Sequence, residues 1–198
     1  IGESLLVTGL GLLGQLAIKL ARVNGAYPVV AMDMSSSRRD LALKNGADYA
    51  FDPLDVDFAK KVREVTGGGV KTAIEVTGVG EALVQTLRLM NRFGRVALLG
   101  CTRDSNFSVD YYARVHTPGV ELIGAHTLAR PNFESRPHCF TVQDDLKSIF
   151  GMIIGKRVNL KQMIKETHSP FECEEVYDRL VNDKNFPTVV QFDWRDVK

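Results

Sequence analysis

A glycine-rich turn between an apolar run and a helical pattern constrains the fold of this chain more than any other feature. Residues 4–8 are a short apolar run, and the turn that follows is Gly9-Leu10-Gly11-Leu12-Leu13-Gly14. After the turn, apolar residues recur with helical spacing. The predicted buried face of this helix comprises Leu13, Leu16, Ala17, Leu20 and Ala21. The order strand, turn and helix predicts the first half of a β-α-β unit.

The same alternation of apolar runs and helical patterns continues to residue 124. Further strands are predicted at residues 28–32, 50–51, 72–76, 95–100 and 120–124. Parallel neighbouring strands need crossover connections, which cover both faces of the sheet with helices. The sequence therefore predicts an α/β fold, a doubly wound six-stranded parallel sheet of the Rossmann type.

Beyond residue 127 the pattern changes, and a C-terminal helical extension is predicted. One helix there has an apolar face made of Val142, Leu146, Ile149, Phe150 and Ile153. A capping-box pattern from Ser169 to Glu172 begins another helix, and residues 188–192 form a final strand. We therefore expect a Rossmann domain at residues 1–127 and a C-terminal helical segment with a final strand at residues 128–198.

Charge and composition favour a small ligand as the partner. The chain has 25 basic and 24 acidic residues, so its formal net charge is +1. This balance gives no electrostatic reason to expect nucleic acid or an anionic membrane surface as a partner. No apolar run approaches the roughly 20 residues that span a bilayer, and the first residues do not have the pattern of a secretory signal. We expect a cytoplasmic protein.

The cysteines and histidines form no recognisable metal or catalytic motif. Cys101, Cys139 and Cys173 lie far apart and none belongs to a CxxC pair. His138 beside Cys139 is interpreted as a loop histidine next to a buried thiol, since adjacent residues rarely ligate one ion. None of the four histidines lies in a recognisable catalytic constellation. We therefore assign no catalytic residue and no metal ligand.

The glycine turn and a later aspartate have the pattern of a dinucleotide site. Gly9 permits a tight turn, Gly11 lets the backbone approach a pyrophosphate, and Gly14 lets the helix pack closely on the strand. The helix N-terminus offers free N–H groups to the phosphates. Asp33 lies at the predicted end of the second strand, where its carboxylate can accept hydrogen bonds from ribose hydroxyls.

This carboxylate favours NAD over NADP, because it would repel a 2′-phosphate. Arg38 and Arg39 follow closely and leave NADP open, since arginine can bind a phosphate through two hydrogen bonds. Thr77, Leu99 and Gly100 lie near the predicted ends of later strands, where ligands bind in open α/β sheets. The alternative for these three positions is a strand leaving the core through a permissive glycine.

With these motifs in their order and spacing, the whole chain resembles the cofactor-binding domain and C-terminal segment of medium-chain dehydrogenases, especially the zinc-dependent alcohol and polyol dehydrogenases. The further markers are Asn45-Gly46-Ala47-Asp48, Glu75-Val76-Thr77-Gly78, residues 94–100 and Leu122-Ile123-Gly124. The resemblance implies that Gly11, Leu12 and Leu13 contact the pyrophosphate. Asp33 and Arg38 would then contact the adenosine ribose. The residues implied on the ribose and nicotinamide side are Thr77, Leu99, Gly100 and Ala125.

The resemblance also implies features outside the cofactor site. Enzymes of this group have a separate barrel-like domain that holds the catalytic zinc, and its motifs do not occur in this sequence. Zinc is expected only in that domain, so the chain alone is expected to be inactive. The implied partners are NAD, an alcohol or polyol substrate, and a second copy of the chain paired through residues 120–124.

Three alternatives to this interpretation share parts of the pattern. A short-chain dehydrogenase would carry Tyr-x-x-x-Lys, but none of the five tyrosines has lysine four positions later. An S-adenosylmethionine methyltransferase also binds adenosine beside a glycine loop, although Gly14 fits the dinucleotide pattern better. A non-catalytic dinucleotide-binding module or sensor differs from an enzyme part only in its biological context, and it remains open.

Overall fold

The computed structural model describes residues 1–102, 105–137, 139–183 and 186–195. Its strands are β1 (Leu5–Thr8), β2 (Val29–Met32), β3 (Tyr49–Phe51), β4 (Val70–Glu75), β5 (Met90–Leu98), β6 (Glu121–Gly124), β7 (Glu166–His168) and β8 (Val190–Phe192). Its α-helices are α1 (Leu12–Val23), α2 (Ser36–Lys44), α3 (Phe58–Thr66), α4 (Gly80–Leu89), α5 (Val142–Ile154) and α6 (Cys173–Asn182). A π-helix at Tyr112–His116 and 3₁₀ turns at Lys161–Met163 and Pro170–Glu172 complete the assignment.

Six strands form one parallel sheet in the order β3-β2-β1-β4-β5-β6. The central strand β1 pairs with β2 on one side and with β4 on the other, so that Leu5 lies opposite both Val29 and Thr72. This confirms the predicted α/β fold with a six-stranded parallel sheet. From β1 the chain adds β2 and β3 on one side, and it then adds β4, β5 and β6 on the other side. Open α/β sheets bind ligands at such a point of reversal, which here lies between β1 and β4.

Strands β1 and β2 are buried on both faces, as is typical of parallel sheets. On one face, Leu6 and Val30 pack with α3 and α4 residues such as Val62 and Leu83. On the other face, Val7 packs in a second cluster that contains Ile18 of α1. Because neighbouring strand residues point to opposite faces, the run of four buried residues in β1 contributes to both clusters.

The predicted buried face of α1 is partly confirmed, since Ala21 is buried and Ala17 packs against the core cluster on this side of the sheet. The buried positions are Gly14, Gln15, Ile18 and Ala21, whereas Leu13 is half exposed. A Cβ atom at Gly14 would lie 1.9 Å from the carbonyl oxygen of Gly9, so position 14 must face the strand. This contact fixes the rotation of the helix and places polar Gln15 in the core, while Leu12 and Leu13 face outward.

Helix α2 is capped at both ends by residues of its own segment. The Ser35 side chain accepts a hydrogen bond from the backbone N–H of Arg38 at the N-terminus. Asn45 caps the C-terminus, and Gly46 follows with a left-handed φ of 112°. Arg38 therefore lies in the first turn of α2, and Asp33 lies between this helix and the end of β2.

The chain forms two compact units, Ile1–Phe150 and Gly151–Lys198. They divide inside α5, whereas the predicted domain boundary follows residue 127, and that boundary stays a prediction. Every residue of α5 is described and none of them is buried, so its predicted apolar face does not belong to a core in this structure. No helix among the described residues is long and apolar enough to cross a membrane.

The second unit contains a two-stranded parallel sheet of β7 and β8. The predicted final strand corresponds to β8, while β7 was not predicted.

The capping box at Ser169 is confirmed: Ser169 accepts from the backbone N–H of Phe171, and Glu172 accepts from the backbone N–H of Ser169. Arg179 of α6 donates hydrogen bonds of 2.9 and 3.1 Å to the two carboxylate oxygens of Glu166 in β7.

This ion pair predicts an acid-dependent loss of stability in the second unit. The hydrogen bonds from Arg179, together with one from His168, lower the pKa of Glu166 from 4.5 to about 2. A carboxyl group with a lowered pKa stabilises the folded state above its unfolded pKa, so this contribution falls as the pH drops from 4.5 to about 2. An Arg179→Met variant lacks most of the contribution at every pH.

Urea unfolding followed by the fluorescence of Trp194, the only tryptophan, measures this effect. The difference in midpoint between the wild type and Arg179→Met should be largest near neutral pH and should shrink through that acidic range. A difference that stays constant with pH would contradict the assignment.

Candidate functional site

A cleft of about 930 Å³ opens at the carboxyl ends of β1, β2 and β4. Its walls include the glycine turn after β1, the residues that follow β2, and the loop between β4 and α4. The predicted site residues that line it are Gly9, Gly11, Leu12, Leu13, Asp33, Arg38 and Thr77. Residues that the sequence places in three separate motifs therefore share one cavity.

The glycine turn has the geometry that a phosphate-binding loop requires. Gly9 adopts a left-handed φ of 90°, and a Cβ there would lie 2.6 Å from the side chain of Thr77. Gly11 is the N-cap of α1, has no side chain that could cap the helix, and has no atom within 4 Å of an added Cβ. The backbone at Gly11 is therefore open to a ligand, beside the partial positive charge of a helix N-terminus.

Asp33 is held at this cleft by two backbone N–H groups. Its Oδ2 accepts a hydrogen bond of 2.8 Å from Leu10, and its Oδ1 accepts one of 2.8 Å from Ser35. The side chain is 11% exposed. Each carboxylate oxygen has further lone pairs, so the group can still accept hydrogen bonds from a ligand's hydroxyls.

The two arginines after Asp33 have different surroundings. Arg39 donates through Nη1 to the carbonyl oxygens of Asp33 and Met34, at 2.7 and 2.8 Å, and to Asp52 at 3.0 Å. It therefore stabilises the turn after β2. Arg38 is about half exposed, lines the cleft, and brings Nη1 to 3.9 Å from Asp33 Oδ2. Of the two, Arg38 is the one placed to meet a ligand.

The loop after β4 depends on a buried acid that the sequence analysis did not assign. Glu75, 1% exposed, accepts hydrogen bonds from the backbone N–H of Thr77 at 2.8 Å and of Gly78 at 3.2 Å. The Thr77 hydroxyl also donates to this carboxylate. An acidic residue at the end of a predicted apolar strand is the signal that could have identified it.

Four predicted site residues are not among those that line the cleft: Gly14, Leu99, Gly100 and Ala125. Gly14 instead packs α1 against the strand. Leu99 and Gly100 donate backbone hydrogen bonds to the Glu75 carbonyl oxygen, at 2.9 and 2.8 Å, and Ala125 donates one to Leu98. The assignment of all eleven predicted residues to a cofactor site stays a prediction.

Metal-binding side chains do not converge in the described part of the chain. Among those residues, no group of three or more His, Cys, Asp or Glu side chains could hold a metal ion. The expectation of a buried thiol at Cys139 is wrong, since this side chain is only partly buried. His138 lies outside the described residues.

Comparison with known proteins identifies the family. A family model described as zinc-binding dehydrogenase matches residues 13–135, more than half of the chain. The chain belongs to this family. The suspected resemblance to zinc-dependent medium-chain dehydrogenases is thereby confirmed.

This zinc-binding dehydrogenase domain has curated relatives with different substrates. It is 46% identical over 100 residues to L-threonine 3-dehydrogenase of Pyrococcus horikoshii, covering 50% of this chain and 29% of that protein. It is 29% identical over 133 residues to D-guloside 3-dehydrogenase of Escherichia coli K12, covering 67% and 38%. The matches thus span well under half the length of these relatives.

A solved structure supports the fold of this dehydrogenase family member. Benzyl alcohol dehydrogenase of Acinetobacter calcoaceticus superposes with a TM-score of 0.78 at 21% identity. The superposition covers 93% of this chain and 48% of that one. At this identity the likeness supports the shared architecture.

Proposed function

We propose that the cleft binds NAD(H), and that this chain is the cofactor-binding part of a dehydrogenase that oxidises a CH–OH group of an alcohol or polyol. The observation that carries this proposal is the position of Asp33. Its carboxylate lies in the same cleft as the open backbone of Gly11 and is held in place by Leu10 and Ser35. A sugar acceptor beside a phosphate-binding turn matches an adenosine diphosphate group.

The residues of the cleft fit each part of such a ligand. The backbone of Gly11, Leu12 and Leu13 at the start of α1 would hold the pyrophosphate, while Asp33 would accept hydrogen bonds from the ribose hydroxyls. Met34 and Leu54 supply an apolar surface for the adenine. When bound, the nicotinamide supplies the hydride acceptor, and this chain's residues fix its orientation and exclude water.

The surroundings of Asp33 favour NAD over NADP. A 2′-phosphate would meet the negative charge of Asp33, and Arg39 is already bonded to two carbonyl groups and Asp52. Arg38 remains as a cation at the rim of the cleft, but its Nη1 lies 3.9 Å from Oδ2 of Asp33. One arginine beside a carboxylate is a weaker phosphate site than an arginine pair.

The described residues do not fit a catalytic zinc, because no cluster of suitable side chains is present among them. We propose that the metal and most of the substrate pocket belong to parts of the enzyme outside these residues, so that this chain alone turns over no alcohol. A non-catalytic dinucleotide-binding module is the alternative. A turnover assay on the full-length protein with a panel of alcohols and polyols distinguishes the two.

Titration with NADH tests the proposed function. Wild-type protein should bind NADH more tightly than NADPH and should not bind S-adenosylmethionine. Asp33→Ala should weaken NADH binding about tenfold to thirtyfold, because it removes hydrogen bonds to the ribose and leaves the Leu10 N–H group without its acceptor. Asp40→Ala, an equal charge change at an exposed position on α2, serves as the control and should bind like the wild type. Wild-type protein without affinity for NADH would refute the proposal.

We also propose that two copies pair through β6. This strand lies at one edge of the sheet, next to β5, and Ile123 is 45% exposed on it. An unpaired edge offers backbone donors and acceptors to a second strand.

A further inference from the structure

We infer that Gln15 is a positioning residue that couples the phosphate-binding turn to the ribose-binding side of the cleft. This inference rests on the proposed NAD(H) site and assigns a role to a residue that does not line the cleft. Gln15 lies in the first turns of α1 and is fully buried, although it is polar. A buried amide is tolerated only when its hydrogen-bonding groups are satisfied.

Gln15 satisfies these groups through three separate segments. Its Nε2 donates to the carbonyl oxygen of Leu10 in the glycine turn at 3.1 Å. The same nitrogen donates to the carbonyl oxygen of Arg38 in the first turn of α2 at 3.0 Å. Its Oε1 accepts a hydrogen bond of 2.8 Å from Nδ2 of Asn45, which caps the other end of α2. The amide therefore joins α1, the glycine turn and both ends of α2.

These hydrogen bonds close a ring of polar contacts around the ribose-binding side. Asp33 accepts from the N–H of Leu10, and the carbonyl group of the same residue accepts from Gln15. Gln15 also holds the backbone of Arg38, whose guanidinium returns to Asp33 at 3.9 Å. Leu10 is thus fixed at both its N–H and its C=O.

The ring gives Gln15 an influence on binding without contact to the ligand. By holding Leu10, it fixes the turn that precedes Gly11 and the free N–H groups at the start of α1. By holding Arg38, it fixes the distance between α2 and Asp33. A site that is ordered before the ligand arrives loses less conformational entropy on binding, so its affinity is higher. The two halves of the cleft are therefore energetically linked through Gln15.

The variant Gln15→Met tests this role, because methionine has a similar length but makes none of the three hydrogen bonds. The dissociation constant for NADH, measured well below the melting temperature, should rise about tenfold. Ile18→Val is the matched control: it removes a buried methyl group from the same face of α1 and should leave the affinity unchanged. Asp33→Ala should weaken binding less in the Gln15→Met background than in the wild type, since the ring is already open.

The outcomes separate this inference from the proposed function. If the wild type binds NADH and Gln15→Met only lowers the melting temperature, Gln15 is merely structural and the inference is wrong, while the proposed function stands. Wild-type protein that binds no NADH overturns both. Should Gln15→Met fail to fold, Asn45→Ala removes only the group that orients the amide. It should then raise the dissociation constant about threefold, and an unchanged value refutes the inference.

Discussion

Replacing Gly14 with alanine is expected to destabilise the first unit by about 3 kcal/mol and to abolish measurable NADH binding. The added Cβ would lie 1.9 Å from the carbonyl oxygen of Gly9 and 2.9 Å from its carbonyl carbon. These are backbone atoms, so no side-chain rotation relieves the contact, and α1 must move away from β1. Calorimetry should show a melting temperature lower by roughly 10 °C.

Gly11→Ala is the matched control for this prediction, because it adds the same methyl group to the same turn. Its Cβ has no neighbour within 4 Å, and φ at this position is −68°, which alanine adopts readily. The melting temperature should stay near the wild-type value, while NADH binding should weaken about tenfold because the methyl group occupies the cleft. If both variants melted like the wild type, the close packing of α1 on the turn would be contradicted.

The second large effect is expected at Glu75. Glu75→Leu keeps a similar volume but leaves the N–H groups of Thr77 and Gly78 without their acceptor. Unpaired donors in a partly buried loop cost free energy, so the free energy of unfolding should fall by about 3 kcal/mol. NADH affinity should fall as well, because Thr77 lines the cleft.

Glu75→Gln provides the control for charge and shape. Its amide oxygen can still accept hydrogen bonds from the loop. Its amide nitrogen, however, cannot accept hydrogen bonds from the N–H groups of the loop. Urea unfolding should therefore place it between the wild type and Glu75→Leu. A Glu75→Leu protein within about 0.5 kcal/mol of the wild type would show that the carboxylate does not organise this loop.

The sequence predicts the sheet and seven of the residues that line the cleft, because those features depend on local patterns. Apolar runs and glycine spacing identify β1, α1 and the turn between them, and Asp33 follows from its position at the end of β2. The apolar periodicity of α1 correctly places Ala21 in the core but wrongly places Leu13 there, because periodicity alone does not show how closely Gly14 packs on the turn. The larger residues Leu12 and Leu13 are exposed for the same reason.

Gln15 and Glu75 illustrate what local patterns cannot predict. Gln15 contacts Arg38 and Asn45, which lie 23 and 30 residues away in the chain. The partners of a buried polar residue are fixed only when the sheet brings distant segments together. Glu75 accepts hydrogen bonds from residues two and three positions later in the chain. Its burial, however, depends on the neighbouring strands. The apolar face of α5 was predicted, but its exposure in this structure was not.

The two backbone hydrogen bonds to Asp33 also restrict how cofactor preference can change during evolution or engineering. Neutralising an acid that binds the ribose removes the charge that repels a 2′-phosphate, so it is the simplest single step toward a phosphorylated cofactor. Here that step would also leave the N–H groups of Leu10 and Ser35 without their acceptor and loosen the turn that we propose binds the diphosphate. A lineage that switches preference therefore has to replace the structural role of this acid first, or at the same time, and single substitutions should yield weak binders of both cofactors.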